Sequence, residues 1–162
     1  MIDIKIDMSS AADGLQRLAQ GLQQRSPLMR EIAALMGEAV EDNFAAQGRP
    51  AWAGLKSASR RGGKLLQDTG RLAGSVTQQS DNNTAAVGTN VKYAAIHQFG
   101  GQTSPHVIRP RNKRALAFGG RVVKSLNHPG SAIPARPFLQ LAPADEERIA
   151  QTVEDYLRRL IG

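Results

Sequence analysis

Two stretches of the chain carry apolar residues at the spacing of an amphipathic helix and predict its two longest helices. The first opens at Ser26-Pro27, with serine as the cap and proline at the first helical position, and ends before Gly48. The second opens at Pro143 and carries carboxylates in its first turn and arginines in its last turn, both of which favour the helix dipole. A shorter amphipathic helix is predicted upstream, with Ser9 or Ser10 as its cap.

Shorter patterns between the helices predict strands. Residues 2–7 alternate isoleucine with polar residues, as a half-buried strand does. Residues 75–80 and 84–88 form a predicted hairpin across Asp81-Asn82-Asn83, whose side chains favour turns. These elements predict an α+β fold, in which an antiparallel β-sheet packs against the two longer α-helices and basic loops project.

A short helix is predicted over residues 91–99, followed by a chain reversal at the two glycines after it. Its apolar residues Tyr93, Ile96 and Phe99 are three positions apart, and we expect them to share one face and pack onto the sheet. Further along, the segment 133–141 is extended and punctuated by prolines, and Phe138 within it is expected to be buried.

Two segments lack a regular period and are predicted to project as basic loops. Residues 48–64 are rich in Gly, Ser, Lys and Arg around Trp52, and we expect an exposed, mobile loop. Three prolines exclude a continuous helix in residues 101–130, where short apolar pieces predict strands of an extended basic arm. We therefore predict a single domain over residues 1–162, with mobile loops at about 48–64 and 101–130.

The distribution of charge restricts the class of partner. The chain has 162 residues, a formal net charge of +7 and a pI of about 10.4. No carboxylate occurs between Asp81 and Asp145, and the acidic residues belong mostly to the helical ends of the chain. A surface polarised in this way favours an acidic partner, which could be nucleic acid or protein.

The sequence offers little for catalysis or for metal binding. Cysteine is absent, which excludes disulfides and thiolate metal sites. The chain has three histidines, His97, His106 and His128. None has a second ligand four residues away or a carboxylate nearby in the sequence, so we expect no metal site. A structural role is expected for His97. The nucleophile elbow G-x-S-x-G and the phosphate-binding loop are both missing. We predict no enzymatic activity and no cofactor; an enzyme would need His97, a hydroxyl group and a distant carboxylate to converge.

Three segments carry motifs that occur together in one known family. They are residues 66–72 running into 75–76, residues 87–101, and His128-Pro129-Gly130 followed by residues 133–139. Their order and spacing resemble the phage virion morphogenesis and tail-completion family, from the second helix to the last. The segment from Tyr93 to the two glycines, paired with the Pro-Ala-Arg-Pro-Phe segment around Arg136, is the most specific part of the resemblance.

The resemblance implies a structural role in completing or joining the tail of a tailed phage. Related neck and tail-completion proteins are α+β subunits that assemble into rings, usually sixfold where they meet the tail tube. The implied partners are further copies of this chain in a hexameric ring and neighbouring connector, stopper or tail tube proteins. A non-specific contact with packaged DNA stays open. We expect a soluble protein without a membrane partner, assembled in the host bacterial cytoplasm and carried in the neck or tail of the virion.

We expect assembly to depend on the basic loops and on one arginine between two prolines. The candidate interface residues are Arg109, Arg111, Lys113, Arg114, Arg121, Lys124, Arg136, Arg60, Arg61 and Trp52. The prolines around Arg136 fix an extended backbone that would hold its side chain out toward a carboxylate of its own or a neighbouring subunit. The alternative is that this motif only introduces a strand.

The basic arm itself has two interpretations. Docking onto an acidic protein surface is favoured, because single-strand binders usually add stacking aromatic residues and no groove-reading module is apparent. The alternative function is a nucleic-acid-binding module that uses the basic loops to neutralise phosphates.

Overall fold

The computed structural model describes residues 8–54 and 63–161. Within these ranges the chain forms helices α1 (Ser9–Gln23), α2 (Ser26–Ala46), α3 (Ala94–Phe99) and α4 (Pro143–Ile161), with a 3₁₀ turn at Ala73–Ser75. The strands are β1 (Val76–Ser80), β2 (Ala85–Thr89), β3 (Gly101–Gln102), β4 (His106–Ile108), β5 (Leu116–Phe118), β6 (Arg121–Val123), β7 (Leu126–His128) and β8 (Ala132–Ile133). The α+β class is confirmed, whereas the strand predicted at 2–7 lies outside the described residues.

The chain divides into two compact units. The first, which we call the helical unit, spans Met1–Val91 and resumes at Phe138–Gly162. The second, which we call the ribbon unit, is Lys92–Pro137. The single domain with mobile loops stays a prediction.

Helix α2 supplies most of the core of the helical unit. It packs against the hairpin of β1 and β2 on one side and against α4 on another, while α1 packs against α4. Its buried positions are Leu28, Ala33, Gly37, Ala39, Val40, Asn43 and Phe44. Each large apolar side chain buried in this way contributes roughly 1.5–3 kcal/mol through the hydrophobic effect.

The predicted hairpin is present and its turn is held by an aspartate. Strands β1 and β2 are antiparallel, with Val76 opposite Thr89. The Asp81 carboxylate accepts the backbone N–H groups of Asn83 at 2.6 Å and Thr84 at 2.8 Å. Hydrogen bonds from Asn83 first, and then from Thr84, stabilise the charged carboxylate and lower the pKa of Asp81.

The next residue of this turn joins α1 to α2. The side-chain oxygen of Asn82 accepts the backbone N–H groups of Arg25 at 2.6 Å and Ser26 at 3.1 Å. Its amide nitrogen donates to the Gln23 carbonyl at the end of α1, at 2.8 Å. The prediction that Ser26 caps α2 is therefore wrong: Ser26 is the first helical residue, and the acceptor for the free N–H groups comes from the hairpin.

The segment after α2 is anchored by an aromatic cluster. The Trp52 ring packs edge to face on Phe44 at a centroid distance of 5.7 Å, and Phe44 contacts Phe138 at 5.5 Å. Trp52 is only 8% exposed, and its backbone N–H donates to the Gln47 carbonyl at 2.8 Å. The predicted exposed loop is therefore wrong at this end, because the indole completes the core, while the predicted burial of Phe138 is confirmed. Residues 55–62 of that loop lie outside the described residues.

The ribbon unit is built from nested antiparallel strand pairs. Gly101 lies opposite Ile133, His106 opposite His128, and Leu116 opposite Val123. Each pair encloses the next, as in one two-stranded ribbon, which we define as residues 101–133. The short strands predicted for the basic arm are thus confirmed.

One glycine allows the two sides of the ribbon to approach closely. Gly130 has a φ of +91°, and a Cβ atom there would lie 2.0 Å from the carbonyl oxygen of Thr103. Across the same point the Thr103 N–H donates to the Ser131 carbonyl at 3.0 Å. Any larger residue at Gly130 would therefore displace the ribbon backbone.

Helix α3 is present, but its predicted apolar face is wrong. Phe99 is 79% exposed and Tyr93 is 42% exposed, whereas Ala94 is buried. An α-helix turns about 100° per residue, so each step of three falls roughly 60° short of a full turn and Phe99 lies roughly 120° away from Tyr93. Tyr93 also precedes the first helical residue, Ala94, so the three side chains do not form one buried face.

Candidate assembly surface

The ribbon has an outgoing side, residues 101–118, and a returning side, residues 121–133. Its basic residues are concentrated in a bulge of the outgoing side. Between the pairs Ile108–Leu126 and Leu116–Val123, the outgoing side holds residues 109–115 and the returning side holds only residues 124 and 125. The additional residues must leave the ladder, because they have no partners opposite them. We call residues 109–115 the basic bulge.

All six of the predicted ribbon cations are exposed. They are Arg109, Arg111, Lys113, Arg114, Arg121 and Lys124. The ribbon unit contains no aspartate or glutamate, so none of these side chains can form an ion pair within its own unit. The like charges repel one another and create a positive potential that attracts an acidic partner.

The ribbon also exposes apolar side chains among its cations. Val107 is 50% exposed and Val122 is 72% exposed. Val107 points away from the face that carries His106 and His128, because successive residues of a strand alternate between faces. The two histidine rings on that other face stack at a centroid distance of 5.1 Å. The ribbon therefore exposes apolar area as well as positive charge.

The structure places Arg136 differently from the rest of the predicted interface. The residue is only 5% exposed, and its backbone N–H donates to the His97 carbonyl at 2.7 Å. This hydrogen bond draws the proline-bounded segment back onto α3, so the prediction of an outward-held side chain is wrong. A role for Arg136 in assembly stays a prediction, as it does for Trp52, which is buried. Arg60 and Arg61 lie outside the described residues.

His97 belongs to the same part of the ribbon unit as Arg136. Its ring meets the Tyr93 ring edge to face at 5.9 Å. The Nδ1 atom is buried and has no hydrogen-bond partner in the part of the chain that the structure describes. Burial, and then the positive charge of Arg136, lower the pKa of His97, so a neutral imidazole is favoured there. This is the packed, structural histidine that the sequence predicted.

The helical unit contains a buried polar network that sequence reasoning missed. Arg49 donates from both terminal nitrogens to the Asp145 carboxylate, at 3.2 and 2.8 Å. Its Nε donates to the Asn43 side-chain oxygen at 3.0 Å, and the Asn43 amide donates to the Phe138 carbonyl at 3.0 Å. The Asp145 carboxylate also accepts the Ala142 N–H at 2.9 Å, which caps the start of α4.

The solvent-facing charges of α2 and α4 are mainly negative. Their exposed carboxylates are Glu31, Glu38, Glu41, Asp42, Glu146, Glu147, Glu154 and Asp155. They outnumber the arginines of these helices, which are Arg30, Arg148, Arg158 and Arg159. Arg148 bridges the helices by donating to Glu38 at 2.6 Å, a hydrogen bond that also raises the pKa of Arg148. A surplus of carboxylates is left on the exposed surfaces of these two helices.

Two further findings concern the described residues alone. They contain no group of three or more His, Cys, Asp or Glu side chains that could hold a metal ion. None of their helices is both long enough and apolar enough to cross a membrane. The main charged surfaces of the described residues are the positive ribbon and the negative surface of α2 and α4.

Comparison with known proteins supplies the context for these two surfaces. The family model for phage virion morphogenesis proteins matches residues 6–158, which include parts of the helical unit and the whole ribbon unit. The chain belongs to the phage virion morphogenesis family. This membership confirms the resemblance carried by the motifs and assigns the protein a structural, morphogenetic role in phage.

A curated relative supports the same assignment over the full length. The family member described here is 45% identical to the Mu-like prophage FluMu G protein 2 of Haemophilus influenzae, over 99% of each chain. No solved structure matches the chain. The match covers both units of the chain.

Proposed function

We propose that this protein is a non-enzymatic tail-completion protein of a tailed phage, and that its copies form a ring at the head–tail junction or at the end of the tail. The observation that carries the proposal is membership of the phage virion morphogenesis family across residues 6–158. A relative with a prophage name and 45% identity supports it. In this role the protein acts by assembly: copies pair side by side, and the loops reach neighbouring subunits or neighbouring virion proteins.

The segregation of charge supports a ring rather than a symmetric dimer. The ribbon is positive and the face of α2 and α4 is negative, so each copy carries two different and complementary surfaces. Contacts between two different surfaces are head to tail, and they produce closed rings when the rotation between neighbours closes. Sixfold closure would match a subunit that sits on a tail tube.

Electron microscopy of phage particles that lack this protein tests the proposed role. Separate heads and finished tails would indicate joining, whereas tails of uncontrolled length would indicate termination. Normal, infectious particles would contradict both forms of the proposal.

A mass measurement tests the ring directly. Purified wild-type chain, which has a monomer mass of 17.4 kDa, is examined by native mass spectrometry alone and together with tail and connector proteins. We expect one closed oligomer with a mass that is a fixed multiple of the monomer mass. A monomer that persists under all conditions and never joins particles would contradict the proposal.

A further inference from the structure

We propose that the ribbon of one copy docks onto the negative face of α2 and α4 of the next copy, and that this contact closes the ring. The inference rests on the proposed ring and names the two surfaces that form it. It assigns the exposed cations of the basic bulge to carboxylates of a second copy of this chain.

The cations of the basic bulge have no carboxylate partners in their own unit. The basic bulge holds Arg109, Arg111, Lys113 and Arg114, all exposed, in a unit without aspartate or glutamate. Holding these charges close together is unfavourable unless a negative surface covers them. The helical unit provides such a surface in every copy.

Helices α2 and α4 carry exposed carboxylates that are not paired with arginines of their own copy. Glu41, Glu146 and Glu147 are exposed and form no ion pair with any residue in the described ranges. The last turns of α2 and the first turn of α4 lie beside each other, because Arg49 bridges Asp42 at 3.7 Å and Asp145 at 2.8 Å. Glu146 and Glu147 are therefore at the same end of the helix pair as Asp42, whereas Glu41 lines a cavity beside β1 together with Val76 and Gln78.

The ribbon itself is built in a way that favours packing on another protein surface. Within the described residues each of its strands has one partner only, so both edges carry unpaired backbone groups. A two-stranded ribbon of this kind is marginally stable alone and gains stability from packing on another surface. The exposed Val107 and Val122 fit a protein surface, which can bury them, better than nucleic acid, which would use only the cations.

Charge reversal in the bulge tests the contact. The variant R111E/R114E is compared with the wild-type chain by sedimentation at low and moderate salt. We expect at least a tenfold loss of affinity between copies, because like charges would then face each other across the contact. The matched control is R71E/K92E, which changes the net charge equally at exposed positions outside the ribbon, and which should assemble like the wild type.

The partner surface is tested by reversing its charge in the same chain. E146K/E147K alone should also weaken assembly. When it is combined with R111E/R114E, opposite charges face each other again, so the combined variant should assemble better than either parent. Losses that simply add would overturn the proposed pairing. Thermal unfolding of every variant establishes that each one is folded.

The outcomes separate this inference from the proposed function. If the wild-type chain forms no ring, with or without tail proteins, the proposed function fails. If rings form and R111E/R114E leaves them unchanged, the ring stands and the ribbon-to-helix contact is wrong. If rings are unchanged but the same variant loses a salt-sensitive affinity for generic duplex DNA, the ribbon is assigned to DNA and the inference is overturned.

Discussion

Two basic segments of the chain place their arginines in different environments, one within the fold and one exposed to solvent. Arg49, just after α2, turns its guanidinium into the protein and meets Asp145, Asn43 and the Ala39 carbonyl at 2.8 to 3.2 Å. The arginines of the basic bulge, such as Arg111, are exposed in a unit that has no carboxylate. Both segments were predicted as projecting basic loops.

The difference shows what makes a cation structural in this protein. A guanidinium becomes part of the fold where a carboxylate and free carbonyl groups lie within reach of its planar set of donors. Where the fold supplies no such acceptors, the cation faces solvent and is available to a partner. The same residue type therefore stabilises one segment and equips the other for binding.

The largest expected effect comes from removing the anchor of the first segment. Trp52→Ala should lower the free energy of unfolding by about 3–5 kcal/mol, because it empties the space beside Phe44 in the aromatic cluster. Urea unfolding measures the change. Phe99→Ala is the aromatic control, since Phe99 is 79% exposed, and should change stability by less than about 0.5 kcal/mol. Equal effects of the two substitutions would mean that Trp52 is not an anchor.

The next effect tests the polar network beside that anchor. Asp145→Ala should cost about 2–4 kcal/mol, somewhat less than a fully buried ion pair, since the Arg49 side chain keeps 26% exposure. The substitution leaves Arg49 without its carboxylate and the Ala142 N–H without its acceptor. Glu147→Ala, two residues along the same helix and exposed, serves as the control in urea unfolding and should be nearly neutral. A cost below about 1 kcal/mol for Asp145→Ala would contradict a stabilising network.

The elements that were predicted correctly have local signals. The start of α4, the hairpin at Asp81 and the short strands of the basic arm follow from charge placement, periodicity and turn residues that lie close together in the sequence. The predicted serine cap of α1 is wrong, because the helix begins at Ser9 and Met8 occupies the cap position. The exposure of the bulge cations follows from a run of basic residues with no carboxylate nearby. Such features are determined by interactions among residues close together in the chain, so they can be predicted from the sequence.

The features that could not be predicted are hydrogen bonds and ion pairs between residues far apart in the sequence. Arg49 and Asp145 are 96 positions apart, and the amide of Asn43 reaches a carbonyl 95 positions away. The outward-held Arg136 was one of two interpretations, and it followed from the neighbouring prolines alone, whereas the backbone N–H of Arg136 donates to the distant His97 carbonyl. Local patterns contain no information on such pairings, since these arise only when helices and extended segments pack.

A smaller effect is expected from the buried imidazole of the ribbon unit. The pKa of His97 is lowered from its ordinary value of 6.5 by burial and by Arg136, so the unfolded chain binds a proton more readily than the folded chain. Stability should therefore be fully present above pH 6.5 and should fall as the pH drops toward the folded pKa. Comparing urea unfolding at pH 7.5 and 5.5 measures this loss. His97→Gln should reduce it, and an unaltered loss in the His97 variant would contradict this role.

The smallest change in stability is expected for substitutions in the basic bulge. It tests whether the cations of the bulge differ from Arg49 in their contribution to the fold. R111S/K113S should alter the free energy of unfolding of the monomer by less than about 0.5 kcal/mol, because both side chains are exposed and their unit offers no carboxylate. Arg49→Ser is the matched counterpart: it removes the same type of charge but leaves the buried Asp145 without its partner, and it should cost about 2 kcal/mol or more. Urea unfolding at low protein concentration keeps assembly out of the measurement. If the two variants lose the same stability, the bulge cations are held within their own chain, and the distinction between a structural and a partner-directed arginine fails.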